Sequence, residues 1–365
     1  MNNMKLSPFN LQHPNQSIKS DLHNFGRYVY KLNSGFIYKP RSIFWEWLIL
    51  GKSPLRAILQ SHSDNIFDSL PLLHFNSETF QSGSVEICSA TPLDFIQERH
   101  LSQTGAVIGL MSFLGITDLH KENIVYGTSG GKYIFAPLDV ETVFDNIELP
   151  AQTLLVPSKL ISWDRCGLSL LIDNFNNHEI TCDVLMPLCE GYLSALEFLN
   201  QRSIEIVTVL ESLIKKYNPS IRRVLRPTKE YYNFNKLETS QQLQLEESEI
   251  VQLSRGDIPY YFKNVNSTEV YYYSDPELTK FKSIDPKRIA SEETIMNLNF
   301  HNFCESIDPR VGSLTSNGLL QLLRLIPSSV KAQVLNFNNL STEITENEII
   351  VATQSRRLRC RRKQF

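Results

Sequence analysis

The 365-residue chain lacks the features that would fit it for a membrane, a disulfide scaffold or a repeat array. No apolar run approaches the roughly 20 residues that cross a bilayer. The first 20 residues hold no apolar stretch of signal-peptide length. The six cysteines (Cys88, Cys166, Cys182, Cys189, Cys304, Cys360) lie far apart with no CxxC pair, too sparse for a disulfide framework. They read as reduced thiols, which makes a cytoplasmic location the expectation. Cys182 and Cys189, the closest pair, read as packing residues rather than zinc ligands. A formal charge of −3 gives no whole-molecule reason to expect nucleic acid or an anionic membrane as partner. There is no internal repeat and no long linker. What is present is 42% apolar, 10% aromatic and 21% charged, the composition of a globular chain with ample surface to bury.

Residues 1–20 are polar, carry Pro8 and Pro14, and read as a loose arm. RYVYKL (Arg27 to Leu32) and FIYKP (Phe36 to Pro40) flank Asn33-Ser34-Gly35, a hairpin signal with a three-residue turn. A helix interrupted by Pro54 is expected over Arg41 to His62, and short strands over 66–92. A helix is expected from about Pro92 to Leu114. A loop, a strand, a Gly130-Gly131 turn and a second strand then lead to Asp139. Residues 183–216 carry a strong apolar helical pattern. Further helices are expected over 238–252, near 290–306 and near 317–335. The last residues, RRLRCRRKQF, form a basic tail that reads as a disordered, solubilising segment, or else as a contact for an acidic partner, a leader peptide or the phosphates of nucleic acid. The expected fold is α+β and two-lobed. It divides into an arm (1–20), a small β-rich lobe (21–92), a larger, mostly helical lobe (93–345) and a tail (346–365).

The passage Asp118-Leu-His120-Lys-Glu-Asn123, followed by a hairpin ending at Asp139-Val-Glu141, has a spacing suited to phosphoryl transfer. An aspartate near a substrate hydroxyl can take or orient its proton. An asparagine five residues later and an aspartate after the hairpin can hold the Mg²⁺ that bridges ATP phosphates. Hard oxygen ligands suit Mg²⁺ better than zinc. Taken alone, DxHxxN is also an ordinary capped surface turn, and His120 can be a structural residue as readily as an acid, base or phosphate contact. Lys39, beside Arg41, is the candidate cation for the ATP phosphates, with Glu46 on the following helix as its possible ion-pair partner. A solvated basic strand end is the plainer reading.

Five blocks occur in order: GRYVYKLNSGFIYKPRS (Gly26 to Ser42), GITDLHKENIVYG (Gly115 to Gly127), PLDVETVF (Pro137 to Phe144), RRVLRPTKEYY (Arg222 to Tyr232) and RGDIPYYF (Arg255 to Phe262). Together they resemble the dehydratase domain of class II lanthipeptide synthetases, the LanM type, from about residue 20 to about 335. The resemblance implies a lipid-kinase-like core. Such a core phosphorylates Ser and Thr of a precursor peptide with ATP and Mg²⁺, then eliminates phosphate to leave a dehydrated residue. It implies Lys39 and Arg41 at the nucleotide, Asp118 and His120 as the catalytic-loop pair, Asn123 and Asp139 as metal ligands, and Glu141 as the acid that follows. It also implies Arg222 and Thr228 for elimination, with Arg226 between them. Read without the family, RRVLRPT is a basic strand end before a proline-started helix.

Two departures shape the expectation. The region before Lys39 is shorter than in the family, and no Cys/Cys-His zinc set for thioether cyclisation is present. The expected protein is therefore a stand-alone dehydratase, or half of a split synthetase working with a separate cyclase. A kinase that stops at the phosphopeptide and an inactive peptide-binding module are the alternatives.

Overall fold

The computed structural model describes residues 20–172, 181–226, 228–232, 245–285, 299–326, 330–337, 340–345, 348–352 and 357–361. The first expected hairpin forms as β1 (Tyr30–Lys31) and β2 (Phe36–Lys39), with Gly35 at φ 80° in the left-handed region its turn requires. β4 (Gly83–Glu86) pairs with β2 on one side and β3 (Phe75–Asn76) on the other, so the antiparallel order is β1-β2-β4-β3. Lys39 closes β2 opposite Gly83.

The helix expected over Arg41 to His62 is two helices, α1 (Phe44–Leu50) and α2 (Pro54–Gln60). Pro54 takes the first turn of α2 and Ser53 Oγ accepts from Arg56 N at 3.0 Å, so proline and cap start a new helix there. α3 (Glu98–Phe113) is buried nearly all round from Thr104 onward, as its apolar run requires. Then β5 (Ile124–Ser129) and β6 (Lys132–Pro137) close a hairpin on Gly130 and Gly131. Their φ values of 56° and 76° suit a two-residue turn whose twist matches its strands. A one-turn α4 (Ser169–Ile172) precedes α5 (Cys182–Gln201) and α6 (Ser203–Tyr217), which meet at Arg202 and carry the helical pattern expected over 183–216. α3 and α5 cross at van der Waals contact of their backbones. A Cβ on Gly105 would stand 1.9 Å from Leu188 O, and one on Gly191 1.8 Å from Ser102 O.

A second sheet runs β10-β9-β8-β7, from β7 (Ser220–Arg223), β8 (Tyr261–Asn264), β9 (Val270–Tyr273) and β10 (Phe281–Ile284). Between β7 and β8 lie α7 (Thr228–Tyr232) and α8 (Glu247–Ser254). The remainder of the helix expected from 238 lies outside the described residues. α9 (Phe300–Glu305), α10 (Ile307–Ser313) and α11 (Leu319–Leu323) follow; positions 290–298 of the expected helix are also outside the described residues.

The helix expected over 317–335 is a correction. It stops at Leu323, and Gln333–Phe337 is β11, which opens an antiparallel sheet with β12 (Leu340–Ile344), β13 (Glu348–Ala352) and β14 (Arg357–Arg361). β11 takes its pairing from β12, where Leu340, Thr342 and Ile344 are buried at alternate positions, so a long-range partner decides the segment's form. The tail expected to be loose contributes β14, with Leu358 packed on the core and Arg357 and Arg359 exposed.

One hydrophobic core runs from Ile43 to Val351 and spans both expected lobes. A small satellite core of Leu225, Tyr261, Val270 and Tyr272 lies under the second sheet. The fold is therefore mixed α+β. Among the described residues no helix is long and apolar enough to cross a membrane.

Candidate functional site

The loop after α3 is bent by its own backbone. Gly115 (φ 64°) ends the helix, and Asp118 also sits in the left-handed region at φ 64°, a strained conformation of the kind found at working sites. Hydrogen bonds hold it there. Asp145 N donates to Gly115 O at 2.9 Å and Leu119 N to Thr153 O at 2.9 Å, while Thr117 Oγ1 donates to Asp145 Oδ2 at 2.7 Å. Asn123 Nδ2 donates to Asp118 O at 2.7 Å and lies 3.3 Å from His120 Nε2. His120 Nδ1 accepts from Glu122 N at 3.3 Å, and its Nε2 stands 3.7 Å from Asp118 Oδ1. The Asp118 side chain is 52% exposed into the cavity. The surrounding protein pushes its carboxyl above the usual range, against the pull of His120 and Arg222.

The hairpin of β5 and β6 delivers Asp139 and Glu141 opposite β2. Here the ion pair read from sequence is present: Lys39 Nζ donates to Glu46 Oε1 at 2.8 Å, and to Leu138 O at 2.6 Å. Glu46, 1% exposed on α1, also receives Arg41 Nη2 at 2.8 Å and Val140 N at 3.2 Å on the same oxygen. Arg41 reaches Asp139 through Nη2 and Glu141 through Nε, so one guanidinium serves three carboxylates. Burial opposes the charge on Arg41, but Asp139, Glu141 and Glu46 outweigh it and hold the proton firmly. Burial likewise pushes Asp139 up, and Arg41, Lys39 and Arg222 overcome it, leaving that carboxyl below its ordinary value.

β7 brings Arg222 to the far side of Glu141. Its N–H donates to Glu141 O at 2.9 Å and its Nη1 to Glu141 Oε2 at 3.0 Å, while Trp45 Nε1 ties β7 to α1 through Ser220 O at 2.9 Å. Thr228, first residue of α7, faces the same space.

These groups line one cavity of about 940 Å³. Lys39, Arg41, Asp118, His120, Asn123, Asp139, Glu141, Arg222 and Thr228 all reach it. Arg226 is not among its lining residues. Its Nε donates to buried Glu249 Oε1 at 2.9 Å, an oxygen that also accepts from Tyr231 Oη at 2.7 Å.

No protein family and no curated protein matches the chain.

Sequence reading missed the segment that borders this cavity from the N-terminal side. Asp21, His23, Asn24 and Arg27 line it. They are fixed by Asp257, whose carboxylate accepts from Phe25 N and Gly26 N, each at 2.7 Å, and by His23 Nδ1 lying 2.7 Å from Ile258 O. A signal existed: Asp21-Leu22-His23 repeats the letters of Asp118-Leu119-His120. Burial and nearby Arg222 push His23 down, so its ring favours the neutral form.

Among the described residues no three His, Cys, Asp or Glu side chains converge as a metal cluster. The site nevertheless fits a Mg²⁺ that takes most of its ligands from phosphate and water, which needs only one or two protein oxygens. Asp139 keeps 37% of its side chain exposed despite Arg41, and both hydrogen bonds of the Asn123 side chain use Nδ2 rather than its carbonyl oxygen.

Proposed function

We propose that the chain is a kinase-like peptide dehydratase, which phosphorylates Ser or Thr of a precursor peptide with ATP and Mg²⁺ and then expels the phosphate. The observation that carries this reading is the meeting, in one cavity, of the Lys39–Glu46 pair, the Asp118–Asn123 loop, Asp139 and the Arg222–Thr228 block. Lys39 offers its ammonium to phosphate oxygens, and Asp118, with its raised affinity for protons, accepts the proton of the substrate hydroxyl as that oxygen bonds to the γ-phosphorus of ATP and the bond from that phosphorus to ADP breaks. Asn123 and Asp139 would hold Mg²⁺, which when bound supplies charge neutralisation across the phosphates. The cavity lining supports the need for it. Eight carboxylates (Asp21, Glu46, Glu86, Asp118, Glu122, Asp139, Glu141, Asp145) face five cations (Arg27, Lys39, Arg41, Arg222, Arg223). A bare polyphosphate is poorly received by that balance, whereas a divalent complex is well received. In the second step Asp118 or His120, both on the cavity, takes the α-proton; the electron pair it releases forms the Cα=Cβ bond as the Cβ–O bond breaks and phosphate leaves. Arg222 takes the charge building on the departing phosphate, and Thr228 donates to it. The kinase-like two-lobed arrangement, a cytoplasmic setting and a separate cyclase as partner belong to the same reading.

One observation favours a second reading, a peptide-binding module without chemistry: Arg41 already neutralises Asp139 from within. Incubation with ATP, Mg²⁺ and candidate peptides, followed by mass, separates the readings. Loss of one water per modified residue supports the dehydratase, and a persistent phosphate supports a kinase alone. ATP binding with no mass change on any peptide supports the module, and neither binding nor mass change sinks both enzyme readings.

A further inference from the structure

Arg222 is held along one edge and on one face. Glu141 takes its Nη1 at 3.0 Å, and the guanidinium carbon lies 5.3 Å from the centre of the Tyr260 ring. Glu141 alone is a weak guide to orientation, because Arg41 shares its carboxylate and a contact through one nitrogen leaves the planar group free to tilt. The ring is better fixed. Tyr260 is 6% exposed and borders the cavity, its N–H donates to Oε1 of buried Gln252 at 2.9 Å, and the His23 ring packs 5.5 Å from it at 57°. An aromatic face attracts a guanidinium without accepting its N–H donors, so the Tyr260 ring restricts how the fork can tilt without consuming its hydrogen bonds.

We infer that Tyr260 is a positioning residue: its ring fixes the plane in which Arg222 meets phosphate, and so sets the rate of phosphate expulsion relative to phosphate transfer. The inference rests on the dehydratase reading above, and its test isolates the second step.

The full chain is given a chemically phosphorylated peptide in one assay, and unmodified peptide with ATP and Mg²⁺ in another. Tyr260→Leu removes the ring, and Tyr260→Phe keeps it. Expulsion from the phosphopeptide should slow on the order of tenfold in the Leu variant. It should stay within about twofold of the unaltered chain in the Phe variant, with phosphate transfer changed by no more than about twofold in either. Phosphopeptide then accumulates only where the ring is gone. Should Tyr260→Leu fail to fold by thermal melting, a fluorinated phenylalanine at position 260 keeps the shape and drains the ring face, and it should slow expulsion relative to Phe. Equal expulsion by ring-bearing and ring-depleted forms overturns the inference, as does a folded Leu variant that loses both steps in proportion. If the unaltered chain leaves the phosphopeptide intact, the dehydratase reading has itself failed and the inference falls with it.

Discussion

The two carboxylates most central to the site live under opposite conditions. Asp139 is tied to Arg41, flanked by Lys39 and Arg222, and held below its ordinary pKa. Asp118 lies half-exposed on a strained turn, with only a long contact to His120, and is pushed above its ordinary pKa. The first holds its charge the more firmly of the two, and the second its proton. A residue that binds a cation gains from the first condition, and a residue that accepts a hydroxyl proton gains from the second.

The comparison breaks most severely at Asp139. Asp139→Ala should remove all peptide modification, measured by mass, and should also cost stability because Arg41 keeps its buried charge with one partner fewer. Linkage gives the pH direction. A depressed carboxyl contributes stability that is present above the ordinary carboxylate value and is lost as the solution is acidified through the depressed one, so melting temperature should fall there.

Asp118→Asn should come next. It preserves the left-handed turn, which asparagine tolerates, and removes the proton acceptor. Turnover should fall by about 10²–10⁴ with little change in melting temperature. A raised carboxyl works in the opposite sense: its contribution to stability is present below the ordinary value and lost as pH rises through the raised one, so Asn at this position should not destabilise at neutral pH. In the unaltered chain the rate should rise with pH through that raised value.

Arg226→Ala should affect turnover least. The residue lies outside the cavity lining, so phosphopeptide should not accumulate, whereas in Arg222→Ala it should. A loss of roughly 1–3 kcal/mol in denaturant unfolding is expected from leaving Glu249 short of a partner. Accumulation of phosphopeptide in Arg226→Ala would return that residue to the site.

What could be read in advance was what short spacing dictates. The Gly130-Gly131 turn fixes the hairpin, the hairpin fixes Asp139 behind Asn123, and a helix seven residues past Lys39 offers Glu46. These are local facts, and the fold kept them. The roles that depend on distant partners were illegible. Arg41 became the hub of three carboxylates because α1 and the strand end of β6 converge on it. Asp21 and His23 join the site only because Asp257, more than two hundred residues away, captures the backbone of Phe25 and Gly26. Arg226 looked equivalent to Arg222 in a basic run. Arg222 belongs to β7 against Glu141, while Arg226 lies beyond the strand and turns to Glu249. The strands after Leu323 were hidden for the same reason, since pairing of each strand with its neighbour from β11 through β14 stabilises segments whose local preferences are weak.

The crossing of α3 and α5 also bears on the loop that carries Asp118. With Gly105 and Gly191 each pressed against the other helix's backbone, α3 cannot slide or roll on α5 without collision. The segment that begins at Leu114 thus starts from a surveyed benchmark, and errors in the placement of Asp118 accumulate over only a few residues. A single methyl group at either glycine, buried and remote from any substrate, would shift that benchmark and move the loop bodily. Such a change would displace Asp118, His120 and Asn123 together while leaving all three residues unaltered.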